Sequence, residues 1–139
     1  VQITTGGACH LEAHVIQQSW EMLDTDTKYD FVFIENVGNL VCPASFDLGE
    51  HLRVVLLSVP EGDDKPPKYP KAFRTADVMA ITKSDVQDFF DFQVEEATRL
   101  AREIREDLEV IELSAKSGEG IEAWLDMLRT RRERLLCPQ

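Results

Sequence analysis

The 139 residues, 43% of them hydrophobic, suffice for one domain with a single core and are too few for a second full domain. Aspartate and glutamate number 26 against 15 lysines and arginines, and a formal charge of -11 repels phosphate backbones and anionic lipid, so nucleic acid and membrane surfaces are poor partners. No apolar run reaches the roughly 20 residues of a bilayer span, and no basic segment with a secretory core opens the chain. These features predict a cytoplasmic, reducing setting, in which three cysteines do not make a disulfide framework.

In chain order, residues 1–4 read as the end of a strand, and Thr5-Gly6-Gly7-Ala8 leads from it into Cys9 and His10. An amphipathic helical pattern covers 11–23, and the apolar run 30–34 predicts a strand. Polar residues Glu35 to Asn39 follow it, with Cys42 just beyond. A second strong strand pattern spans 53–59. Pro60, Pro66, Pro67 and Pro70 then punctuate a connection that should hold a loop and a short helix. Strands are predicted at 76–81 and 109–113, with helices at 94–105 and 121–135. Continuous apolar strands alternating with helices give α/β, a doubly wound and mostly parallel sheet covered on both faces.

In such a sheet, ligands bind beyond the carboxyl ends of the strands. Cys9, His10, His14 and Cys42 take two of the three cysteines and two of the three histidines, a ligand set that suits zinc, nickel or copper(I). Their spacing matches no compact finger, so only the fold can bring Cys42 to Cys9. After the strand at 76–81 comes Thr82-Lys83-Ser84-Asp85, and after 109–113 comes Ser114-Ala115-Lys116-Ser117-Gly118. Asp85 can accept two parallel hydrogen bonds from the N–H edge that guanine presents and adenine lacks. Lys83 can lay its stem along a purine face, and Ser114, Ala115 and Lys116 can offer backbone N–H groups to the base oxygen. Glu35 can reach a hydrated Mg2+, and the Gly38 N–H can meet a terminal phosphate.

Gly7 to His14, Phe33 to Ala44, Asp64 to Pro70 and Ser114 to Gly120 together resemble the HypB family of hydrogenase maturation GTPases, over essentially the whole chain. The resemblance implies a P-loop NTPase-like sheet and a GTP-dependent nickel chaperone for [NiFe]-hydrogenase that forms a homodimer on binding GTP. Nickel or zinc would sit at the dimer interface on Cys9, His10 and Cys42, with His14 a further contributor. GTP and Mg2+ would be held by Glu35, Gly38, Lys83, Asp85, Ser114, Ala115 and Lys116 together with a phosphate loop. The hydrogenase large subunit and other maturation factors would be the partners.

The sequence departs from that pattern twice. It contains no G-x-x-x-x-G-K-[ST], the loop that cradles phosphates, and Thr82 stands where such GTPases carry Asn. With Val1 opening inside an apparent strand, this predicts a single partial G domain, truncated at its amino-terminal side, that does not hydrolyse GTP alone. A non-catalytic metal-binding and dimerisation fragment is the alternative. The residues also admit plainer readings: buried or redox-paired Cys9 and Cys42, a His14 paired with a carboxylate, a capping or salt-bridged Glu35, a surface His51, and a free thiol at Cys137.

Overall fold

Three of the predicted apolar runs pair into a parallel sheet of order β1-β2-β3, formed by β1 (Val54–Ser58), β2 (Val78–Thr82) and β3 (Glu109–Leu113). The register sets Val54 against Val78 and Ser58 against Thr82, then Val78 against Glu109 and Thr82 against Leu113. All three strands therefore end together. Val78, Met79, Ala80 and Ile81 of the central strand are no more than 1% exposed, which explains why that run shows no polar alternation. Edge strand β1 does alternate, burying Val55 and Leu57 while Leu56 remains 60% exposed.

The computed structural model describes residues 1–23 and 26–137, and these fall into two compact units, Val1–His51 and Leu52–Gln139. In the second unit each parallel pair is joined by a helical crossover. The proline-punctuated connection becomes α2 (Lys65–Lys68) and α3 (Pro70–Thr75), each with a proline in its first two positions, where its missing N–H has no helical partner to lose. α4 (Val94–Ile104) links β2 to β3 and packs against α2 and α3. Its Ala97 and Ala101, one turn apart and fully buried, let the backbone approach closely, while Glu95 and Glu96 favour the positive end of the helix. α5 (Ile121–Leu136) packs on β3, and Arg131 reaches Glu109 at 2.7 Å. Phe73 and Phe92 are the largest buried side chains.

The first unit has α1 (Ala13–Trp20), a short 3-10 turn over Pro43–Ser45 and no strand among its described residues. The strands expected at 1–4 and 30–34 are therefore corrected. Within the run at 30–34 the rings of Phe31 and Phe33 stack two residues apart at 6.4 Å, but among the described residues it has no ladder partner. Phe33 is 71% exposed, so the apolar pattern is present without the neighbour that makes a strand. α1 is also shorter than the amphipathic pattern. The Leu11 N–H donates to the Asn36 side chain instead of joining a helix, and the last turn tightens when Met22 and Leu23 donate to Ser19 and Trp20. Among the described residues, no helix is long and apolar enough to cross a membrane.

Candidate metal and nucleotide sites

In the first unit, Gly6 and Gly7 take positive φ (62° and 93°) in a turn closed by Ala8 N–H on Thr5 O, which no residue with a Cβ adopts as cheaply. That turn delivers Cys9 beside Cys42, 33 residues away in sequence, with Cα atoms 5.9 Å apart and the sulfurs joined as a disulfide. A bonded pair is the redox-paired alternative for Cys9 and Cys42, and the ligand reading needs both sulfurs reduced. His10 Nδ1 lies 3.7 Å from Cys9 Sγ. Its ring stacks flat on Phe46, centroids 3.7 Å apart and planes 6° apart, and its side chain is only 17% exposed. His10 Nε2 also lies 3.8 Å from Glu12 Oε1, and His14 Nδ1 lies 3.1 Å from Oε2 of the same carboxylate, with the His14 side chain 64% exposed.

Cys9 thus has Cys42 and His10 beside it, and Glu12 lies against both His10 and His14. Among the described residues, no three His, Cys, Asp or Glu side chains surround a common metal position. Two sulfurs bonded to one another are not thiolate ligands. Reduction would turn both into thiolates on backbones 5.9 Å apart at Cα, with the imidazole of His10 beside Cys9, and thiolate plus imidazole is a donor set that fits nickel or zinc. Glu35 is exposed, and space is open around Gly38, so a group can approach its backbone. His51 is a surface residue, and Cys137 is a free, exposed thiol.

The side chains that hold this cluster together are Asn36 and Asn39. Asn36 Oδ1 accepts from Leu11 N–H at 3.1 Å and Val37 N–H at 2.8 Å. Asn39 Oδ1 accepts from Val41 N–H at 3.0 Å and Cys42 N–H at 2.9 Å, while Asn39 Nδ2 donates to Cys9 O at 2.8 Å. Neither residue was assigned a role from the sequence. The available signal was an asparagine two and three residues ahead of the amides it binds, the pattern of a side chain mimicking a turn.

In the second unit, the loops after β2 and β3 meet because their strands are neighbours in register. Ser114, fully buried, donates from Oγ to Asp85 Oδ1 at 2.5 Å and accepts from the N–H groups of Lys116 (3.2 Å) and Ser117 (3.1 Å). Lys116 Nζ lies 3.9 Å from Asp85 Oδ2, and Asp85 is 17% exposed. One carboxylate oxygen is thus fixed by the buried hydroxyl and the other lies toward Lys116. Lys83 is the one non-glycine residue with positive φ (60°) among the described positions, a left-handed conformation that costs about 1–3 kcal/mol. Gly120 was also missed. A Cβ there would lie 1.9 Å from Glu112 O, so only glycine closes the loop that Ala115 and Lys116 occupy.

Strand ends that present an aspartate, a lysine and a buried serine suit a nucleotide base, and residues 1–112 match the family model described as the CobW/HypB/UreG nucleotide-binding domain. The chain belongs to that family. Among CobW/HypB/UreG proteins it is 51% identical to hydrogenase maturation factor HypB of Azotobacter vinelandii over 95% of its own length and 43% of the relative's. It is 48% identical to HypB of Escherichia coli K12 over 95% of its length and 45% of the relative's. The chain thus spans less than half of these curated relatives. The crystal structure of HypB from Helicobacter pylori in complex with nickel superposes with a TM-score of 0.92 at 41% identity, covering 96% of this chain and 64% of that one. HypB from Archaeoglobus fulgidus gives a TM-score of 0.84 at 43% identity, covering 92% and 67%. The α/β reading from the apolar runs stands with them.

Proposed function

We propose that the chain is the carboxyl-terminal part of a cytoplasmic, GTP-dependent nickel chaperone for [NiFe]-hydrogenase maturation, and that its two units are parts of one partial G domain. In this reading nickel is cargo, held by the thiolates of Cys9 and Cys42 and the imidazole of His10 at a homodimer interface. Zinc competes for the same ligands, and His14 joins only after leaving Glu12. The observation that carries the reading is the approach of Cys9 to Cys42 with His10 Nδ1 3.7 Å from Cys9 Sγ. The relatives named as hydrogenase maturation factors, and the nickel complex of one of them, support the choice of metal and pathway.

Lys83, Asp85, Ser114, Ala115 and Lys116 act as the guanine site, Asp85 Oδ2 accepting from the base while Ser114 holds Oδ1. Glu35 serves hydrated Mg2+ and the Gly38 N–H serves the terminal phosphate. Hydrolysis works as a switch on dimerisation and metal transfer to the hydrogenase large subunit, through other maturation factors. A second reading, a metal-binding and dimerisation module without turnover, is favoured for these 139 residues by one observation, the lack of a G-x-x-x-x-G-K-[ST] motif.

Nickel titration of the reduced chain tests the site. Cys9→Ala is expected to lose more than the roughly 10–100-fold that removal of an outer-shell partner costs, because it removes a ligand itself. Cys137→Ala should bind as the parent does, and equal losses in the two variants would refute the assignment. The second reading expects no GTP turnover above buffer from this chain, and measurable turnover overturns it.

A further inference from the structure

Asn39 does more than shape its own loop. One amide group ties both cysteine-bearing segments: Nδ2 donates to Cys9 O, and Oδ1 accepts from Val41 N–H and Cys42 N–H. The orientation is unambiguous, because exchanging oxygen and nitrogen would set donors against two N–H groups and an acceptor against a carbonyl. Only a neutral carboxamide satisfies all three partners at this length. Aspartate keeps both acceptor bonds but points a carboxylate oxygen at Cys9 O. Alanine loses everything.

The cysteines are 33 residues apart in sequence, and the unit carrying them buries only Leu11 and Ala44 among its described residues. With so little core between the two segments, their spacing depends on direct ties. Asn36 fixes Leu11 beside Val37, two residues past Cys9 and five before Cys42, while Asn39 fixes the backbone of Cys9 and Cys42 themselves. We propose that Asn39 is the positioning residue of the Cys9–Cys42 pair, holding the two backbones, with Cα atoms 5.9 Å apart, close enough for both sulfurs to reach one metal ion. The proposal rests on the nickel-site reading above, and it also makes a claim that does not involve metal. Asn39 sets the effective concentration of one thiol for the other.

The test compares the parent chain with Asn39→Ala, Asn39→Asp and Cys9→Ala, all reduced and titrated with Ni2+. Asn39→Ala and Asn39→Asp should bind about 10–100-fold more weakly. At saturating nickel their thiolate-to-nickel absorption per metal should fall toward that of Cys9→Ala, while far-UV circular dichroism stays that of the parent. Asn39→Asp separates positioning from folding, since it preserves the turn at Val41 and Cys42 and breaks only the arm to Cys9. Parental affinity and absorption in both Asn39 variants, with binding lost in Cys9→Ala, would overturn the proposal while leaving the metal site standing. If Cys9→Ala binds nickel as the parent does, the metal reading falls. A second measurement then decides on Asn39: the equilibrium between the Cys9–Cys42 disulfide and glutathione. A lower disulfide formation constant in Asn39→Ala and Asn39→Asp supports positioning, because the constant reports the effective concentration of one thiol for the other, and unchanged constants overturn it.

Discussion

Residues 1–51 bury only Leu11 and Ala44 among the described positions, whereas residues 52–139 bury a set running from Val55 to Leu128 that includes Phe73 and Phe92. The first unit brings its cysteines together with hydrogen bonds from Asn36 and Asn39 and by pairing the cysteines themselves. The second brings Asp85 to Ser114 by strand register, Thr82 lying opposite Leu113 with each loop leaving at the next residue. A sheet with a buried face cannot slip its register without turning its apolar side chains outward, so Asp85 and Ser114 inherit their geometry from the core. The cysteine cluster depends instead on a few polar contacts, which places it at the low-stability end of the molecule.

The sharpest break in this contrast is expected from Phe73→Ala. Phe73 is fully buried on α3, and truncating it should cost the second unit about 3–5 kcal/mol. Trp20 lies in the first unit and Trp124 in the second, so Trp20→Phe and Trp124→Phe backgrounds give separate fluorescence readouts of urea unfolding. The midpoint seen by Trp124 should fall steeply in the Phe73→Ala variant. An unchanged Trp124 midpoint would mean that the apolar core is not what holds the second unit.

Ser114→Ala should have a smaller and more local effect. It removes the donor to Asp85 and the acceptor for the Lys116 and Ser117 amides, leaving a mostly buried carboxylate oxygen without its partner, at about 1–3 kcal/mol. The Trp124 midpoint should shift modestly, and in a longer chain that binds nucleotide the preference for guanine should weaken with it. No shift in either would show that the Asp85 to Ser114 bond is incidental.

The second unit was the more legible from the sequence, for the same reason that it is the better held. β1, β2 and β3 were readable because continuous apolar runs bounded by polar turns report burial on two faces, and the placement of Asp85 and Ser114 followed from their positions just past two of those runs. In the first unit the run at 30–34 carries the same pattern without pairing, since the pattern records what a segment can bury and says nothing of whether a neighbour is present. Cys9 and Cys42 were singled out by residue type, while the contacts that unite them were not. Asn36 and Asn39 act through side-chain bonds to backbone 25 and 30 residues away, and no local periodicity encodes such long-range ties. Gly120 was hidden similarly, because its requirement comes from a carbonyl on β3.

The smallest effect is electrostatic and falls on the second unit's surface. Lys68 hydrogen-bonds Asp64 and holds its carboxyl below the usual range; Arg99 does the same to Glu96, and Arg105 to Asp107. A depressed folded pKa means that the unfolded chain takes up protons first as pH falls. The stabilisation from these pairs is therefore complete above the ordinary values, 3.8 for the aspartates and 4.5 for the glutamate, and is lost as pH drops through the lower folded values. All three carboxylates are solvent-exposed, so salt should screen most of the effect. The Trp124 melting temperature should decline between about pH 4.5 and 2 at low ionic strength, and Asp107→Asn should flatten part of that decline. Arg105 gives this pair more leverage than the other two, because it also donates to Ala76 O and approaches Asp77 at 3.3 Å, joining α4 to the start of β2. Asp107 thus orients a cation that is itself structural, and Asp107→Asn should lower the melting temperature slightly at neutral pH as well. If the decline survives intact in 0.5 M salt, its source is buried carboxyl groups rather than these surface pairs.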